Sequence, residues 1–106
     1  MSQPEDRGPV TLDEFQDLIE ATFGTKDAAR GTAGTFMWLM EEVGELSAAL
    51  REGTHADREG EFADVLAWVA SLASLSGVRL SEAVRKYRRG CPRCAGVPCG
   101  CVQEKP

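Results

Sequence analysis

Two acidic clusters, Glu41-Glu42-Val43-Gly44-Glu45 and Glu61-Phe62-Ala63-Asp64, constrain this chain more than any other feature. Glu42 and Glu45 are three residues apart, as are Glu61 and Asp64, so each pair lies on one side of a helix. An antiparallel hairpin folded about Gly53 places Glu42 opposite Asp64 and Glu45 opposite Glu61. Four facing carboxylates repel unless a multivalent cation sits among them. An all-oxygen donor set favours Mg²⁺, Mn²⁺ or Ca²⁺ over zinc.

At about 100° per residue, the acids of both helices border the apolar stripe instead of lying opposite it. Leu39, Leu46, Leu50, Val43, Phe36 and Met40 form that stripe on the first helix of the hairpin. Leu72, Val65, Val69, Phe62 and Leu66 form it on the second, where Ala63 and Ala70 are small enough for another helix to approach closely. Ordinary solvated acidic faces carry Lys or Arg at i±3 or i±4, pairs that stabilise a helix by roughly 0.2–0.5 kcal/mol each. Here Arg58 is the one such partner. The like-charged pairs therefore favour a metal site over a solvated face. Trp38 and Trp68 fall at the same end of the hairpin, where they serve either as core or as a flat wall for stacking a nucleobase.

The chain has 106 residues, 42 % of them apolar, which suits one small domain with a modest core and self-association to extend it. No apolar run approaches the ~20 residues of a membrane span, and Met1 to Pro9 lack a signal-like segment, so a cytoplasmic location is expected. A net charge of −5 argues against binding a nucleic-acid polymer. The charge is uneven, however. Residues 41–64 are acidic, whereas Arg85, Lys86, Arg88, Arg89 and Arg93 follow one another with no acid between them.

The periodicity predicts an all-α chain of about four helices, organised as a disordered lead-in over 1–10, a helical bundle over 11–89 and a tail over 90–106. Thr11-x-x-Glu14 has capping-box form, and a first helix over roughly 12–23 should end at Gly24. Residues 25–34 read as a linker. A second helix over roughly 35–52 stops at Gly53, and 53–57 form a turn containing His55. The third helix reaches about Ser76, and Ser81 caps a fourth through about Arg89.

These acids resemble the signature of the MazG-like nucleotide pyrophosphohydrolases, Glu-Glu-x-x-Glu followed after a gap by Glu-x-x-Asp. Here it reads Glu41-Glu42-x-x-Glu45 and Glu61-x-x-Asp64, separated by fifteen residues, as one helical hairpin requires. The resemblance covers roughly 12–90. It implies hydrolysis of a nucleoside triphosphate between the α and β phosphates, giving a monophosphate and pyrophosphate. It further implies Mg²⁺ (or Mn²⁺) held by Glu42, Glu45, Glu61 and Asp64, and a homodimer or homotetramer whose chains complete one another's sites. Glu41 becomes the candidate for orienting or deprotonating water. Arg85, Lys86 and Arg89, with Trp38 and Trp68, become candidate substrate contacts. Family members often place Asn four residues after the lysine matching Lys86; here that residue is Gly90.

The tail holds every cysteine of the chain, as Cys91-x-x-Cys94 and Cys99-x-Cys101. Clustered thiols of this form suit one tetrahedral structural Zn²⁺ within a chain, with a redox pair, disordered thiols or zinc shared between chains as alternatives. A di-iron carboxylate bundle would need Glu-x-x-His pairs, and His55 is misplaced for that. The remaining rival is a non-catalytic nucleotide-sensing or protein-adaptor module with a zinc-binding tail.

Overall fold

The structure, a computed structural model, describes residues 8–102; most of the expected lead-in and the end of the tail lie outside the described residues. It is all-helical. Helix α1 (Leu12–Glu52) and helix α2 (His55–Leu75) form the body, followed by one turn of α3 (Leu80–Ala83) and a 3₁₀ turn, Val84–Tyr87. Among the described residues there is no strand, and no single helix is long and apolar enough to cross a membrane.

Helix α1 begins as expected. The Thr11 hydroxyl accepts from the Glu14 N–H, and the Glu14 carboxylate accepts from the Thr11 N–H, both at 3.1 Å. It then runs through Gly24, which corrects the expected stop and makes most of the linker helical. A glycine inside a helix costs only about 1 kcal/mol relative to alanine, and packing against α2 offsets it. The break falls at Gly31 instead, with φ 83° and ψ 171°. That region of backbone space is closed to residues bearing a Cβ. A straight helix of 41 residues would span about 60 Å, whereas the longest dimension of the molecule is 44 Å.

Both limbs of α1 contact α2. The limb before Gly31 lies along the C-terminal half of α2, where buried Gln16 donates to Ser74 Oγ and Val78 O and accepts from the Leu80 N–H. Asp17 and Asp13 hold Arg79 and Ser81 at the same end. Ser81 therefore sits inside α3, not at its cap, and the expected fourth helix shrinks to an α turn and a 3₁₀ turn. The limb after Gly31 forms the hairpin with α2. Its turn is tighter than expected, because Thr54 and Asp57 make a second capping box and His55 already belongs to α2. Exposed His55 lies 3.4 Å from Glu59.

Leu39, Ala49, Ala70 and Ala73 are the buried apolar residues among those described, and Ala63 is exposed. Part of the expected apolar stripe is left uncovered within one chain. Phe36, Met40, Val43, Leu50, Phe62 and Leu66 keep 41–54 % of their surface exposed. The radius of gyration is 16.2 Å, against about 13 Å for a compact chain of this length. Two helices and one short return cannot wrap both sides of the hairpin.

Candidate functional site

The hairpin brings the acid clusters together. Oxygens of Glu42, Glu45 and Glu61 all lie within 4.8 Å of one another. Glu42 and Glu61 are half-buried, and in each the Oε2 atom is covered by protein without any hydrogen-bond partner. Burial, and next the Glu45 charge, raise the pKa of both above the ordinary value of 4.5; Asp64 adds to each. Asp64 thus lies within electrostatic reach but outside the close trio. Glu41 is exposed beside them on α1.

Two orphaned carboxylate oxygens in an all-oxygen cluster fit a hard divalent cation, which would supply the missing partner. The sign of the pH effect follows. Stability contributed by the protonated Glu42 and Glu61 carboxyls is fully present below the unfolded value of 4.5 and is lost as pH rises toward their raised folded values. Without divalent cations, the melting temperature of the wild-type protein relative to Glu42→Gln should fall as pH rises above the ordinary value of 4.5. Added Mg²⁺ should reduce that fall. A pH-independent difference in thermal melts would refute the acid-cluster electrostatics.

The tryptophans meet as the hairpin register requires. Trp38 and Trp68 stack with ring centroids 6.1 Å apart and planes inclined by 9°. The Arg30 guanidinium lies over the Trp68 ring, 4.9 Å from its centroid. Arg30 also clasps the elbow of α1. Its Nη1 donates to buried Asp27 at 2.9 Å on one limb and to buried Thr35 at 3.3 Å on the other.

Beside this clasp is a cleft of about 320 Å³, between the first limb and α2. Phe23, Lys26, Asp27 and Arg30 line it from α1, and Asp64 and Trp68 line it from α2. Sequence reasoning missed Lys26 and Arg30, because Gly24, Gly31 and Gly34 made the segment look like a linker. Read as helix, positions 23, 26, 27 and 30 share one face.

Arg85, Lys86 and Arg89 are not in this cleft. They line a second pocket of about 270 Å³ with Arg88, Arg93 and the first cysteine, Cys91. Asp64 lies eleven residues from the end of α2, about 16 Å along the axis, and the basic turn lies beyond that end. Gly90 has φ +111°, and a Cβ there would run into Val97 and within 2.7 Å of Gly96 O. That close approach explains why no amide side chain occupies this position.

The four cysteines converge. All the sulfurs lie within 4.8 Å of one another, with Cys91–Cys101 at 3.8 Å and Cys94–Cys99 at 4.0 Å. Backbone N–H groups of Cys94 and Arg93 lower the Cys91 thiol to about 6, and those of Gly100 and Gly96 lower Cys94. Hydrogen bonding to the other sulfurs, Cys99 first, pushes Cys101 up to about 12.

Comparison with known proteins agrees with this geometry. The model of the MazG nucleotide pyrophosphohydrolase domain matches residues 30–95, which take in both acid clusters and the first two cysteines. A dATP/dGTP diphosphohydrolase of Cyanophage S-2L is 40 % identical over 77 residues, covering 73 % of this chain and 70 % of that protein. With the acid signature on one helical hairpin, these matches show that the chain belongs to the MazG family and is a nucleoside triphosphate pyrophosphohydrolase.

Proposed function

We propose that this chain cleaves a deoxynucleoside triphosphate, with purine bases favoured, between its α and β phosphates. Water attacks the α phosphorus, the bond to the bridging oxygen breaks, and pyrophosphate leaves with a deoxynucleoside monophosphate remaining. The purine preference rests on the S-2L relative, named for dATP and dGTP. The observation that carries the site is the pair of covered, unpartnered oxygens, Glu42 Oε2 and Glu61 Oε2.

Glu42, Glu45, Glu61 and Asp64 would hold Mg²⁺ or Mn²⁺. When bound, such an ion neutralises phosphate charge and lowers the pKa of an attacking water. Glu41, exposed at the edge of the cluster, orients that water and accepts its proton. Lys26 and Arg30 offer positive charge to the phosphates from across the cleft. Its volume falls at the lower end of the ~300–1,000 Å³ usual for small-ligand sites. The Trp38–Trp68 stack offers an aromatic face to the base, with Trp38 the more exposed of the two.

The uncovered apolar stripe supports a homodimer or homotetramer in which a second copy buries it, and such an assembly could bring Arg85, Lys86 and Arg89 of one chain to another's substrate. The four thiolates would hold one structural Zn²⁺, since ligands at the usual ~2.3 Å from zinc stand about 3.8 Å from one another in a tetrahedron. Such an enzyme would act on the nucleotide pool in the cytoplasm.

Purified protein with Mg²⁺ should release pyrophosphate, and no orthophosphate, from dATP or dGTP. A panel of canonical and damaged triphosphates that yields no pyrophosphate at all would defeat this reading. Faster turnover of pyrimidine than purine substrates would overturn the base preference alone.

A further inference from the structure

The tail has almost no apolar means of holding its shape. Val97 is 81 % exposed and Val102 fully exposed. The loop is held instead by backbone and sulfur. Cys91 N–H donates to Gly96 O at 3.1 Å and Ala95 N–H to Cys91 O at 2.7 Å, with Ala95 itself at φ 61°. Arg93, Gly96, Gly100 and Cys101 N–H groups donate to cysteine sulfurs at 3.3–3.4 Å. A segment this short without a core needs a metal or cross-links to stay folded.

Against this loop lies the basic pocket. Arg85, Lys86, Arg88 and Arg89 come from the turn before it, and Arg93 comes from within it. Cys91, Pro92 and Ala95 also line it, and among the described residues the lining contains no carboxylate. Among the described residues none of Arg85, Lys86, Arg88 and Arg89 forms an ion pair with an acid. The tetrathiolate itself accounts for part of this charge. Zinc with four thiolates carries two negative charges, against the four cations of the turn, Arg85, Lys86, Arg88 and Arg89. The net positive charge that remains around a concave site suits an anion bearing several charges.

We propose that the zinc-clamped loop and the basic turn together form a pocket for a phosphate chain, either inorganic pyrophosphate or the polyphosphate tail of a nucleotide, and that the pocket exists only while zinc is bound. The inference rests on the zinc reading of the four thiolates. The metal would hold Cys91, Pro92, Arg93 and Ala95 in place against the turn, and without it that wall of the pocket keeps only a few backbone hydrogen bonds. The pocket is separate from the acid cluster of its own chain. Its occupant is therefore either the phosphate tail of a substrate held by a neighbouring copy or the released product.

Pyrophosphate binding to the full-length protein, measured calorimetrically in Mg²⁺-free buffer, tests this without involving the acid cluster. Zinc-loaded protein should bind one pyrophosphate per chain. Arg88→Glu/Arg89→Glu should weaken that binding at least about tenfold, since charge reversal turns attraction into repulsion. Stripping zinc should do the same while helical circular dichroism is kept. Protein purified without chelators that contains no zinc overturns the zinc reading and the clamp with it. Protein with one zinc per chain that binds no pyrophosphate, or binds it equally after stripping or in the arginine variant, overturns the pocket alone. Steady-state kinetics with Mg²⁺ then identify the occupant. A raised KM at unchanged kcat in the arginine variant assigns the substrate tail, and an unchanged KM with lost inhibition by added pyrophosphate assigns the product.

Discussion

Replacing Glu61 by glutamine is expected to cut pyrophosphate release by on the order of 10³-fold while raising the melting temperature of the metal-free protein. Glutamine keeps the size of the side chain and removes its charge. In the metal-free protein Glu61 stands within 4.8 Å of Glu42 and Glu45 with one oxygen covered and unpartnered. Its pKa is raised first by burial and then by Glu45 and Asp64, so ionising it costs stability at neutral pH. The neutral amide relieves that repulsion. The same change removes an oxygen donor from the proposed divalent site, so turnover should suffer. Opposite movements of activity and metal-free stability distinguish a metal site from a solvated acidic face, where loss of one carboxylate would alter neither. Glu42→Gln should behave alike. Full activity in either variant would remove the acid cluster from the reaction.

Gly31→Ala should cost about 1–3 kcal/mol of stability, because φ 83° with ψ 171° is open to glycine and closed to alanine. No atom outside the local backbone lies within 4 Å of a Cβ built there, so the cost comes from the backbone alone. The consequence for activity is larger than the stability change suggests. Arg30 is the residue before the elbow and clasps Asp27 and Thr35 across it. If the elbow relaxes toward continuous helix, Arg30 leaves the Trp68 ring and the cleft that it shares with Asp64. A displacement near 1 Å of a positioning group can lower rates about 10²-fold. Thermal melts and kcat/KM together test this. An unchanged melting temperature would mean that the elbow carries no strain. A lowered one with unchanged kcat/KM would mean that it positions nothing for the reaction.

The hairpin was legible because its signals are local. Glu42, Glu45, Glu61 and Asp64 declare their helix faces by spacing, Gly53 marks the turn, and the register follows from counting residues. The same counting brought Trp38 to Trp68, now a stacked pair. Thr11 and Glu14 announced the start of α1 because a capping box is complete within four residues. The family resemblance carried by these acids led to the reaction class that the comparisons show.

What stayed hidden depends on contacts distant in sequence. Gly24 and Gly31 look alike in the chain, and packing against α2 decides that the first continues a helix and the second breaks it. Lys26 and Arg30 therefore became cleft residues only once the break was located. The basic run was visible as charge, yet its place beside the cysteines, beyond the far end of α2, follows from the Gln16 and Arg79 contacts that dock the chain's return. The paired acid clusters thus determined from sequence alone that this chain makes a helical hairpin with a carboxylate site. Which cations line the cleft beside Asp64, and which apolar surface stays exposed, were decided by tertiary structure, because both depend on where one glycine bends the backbone.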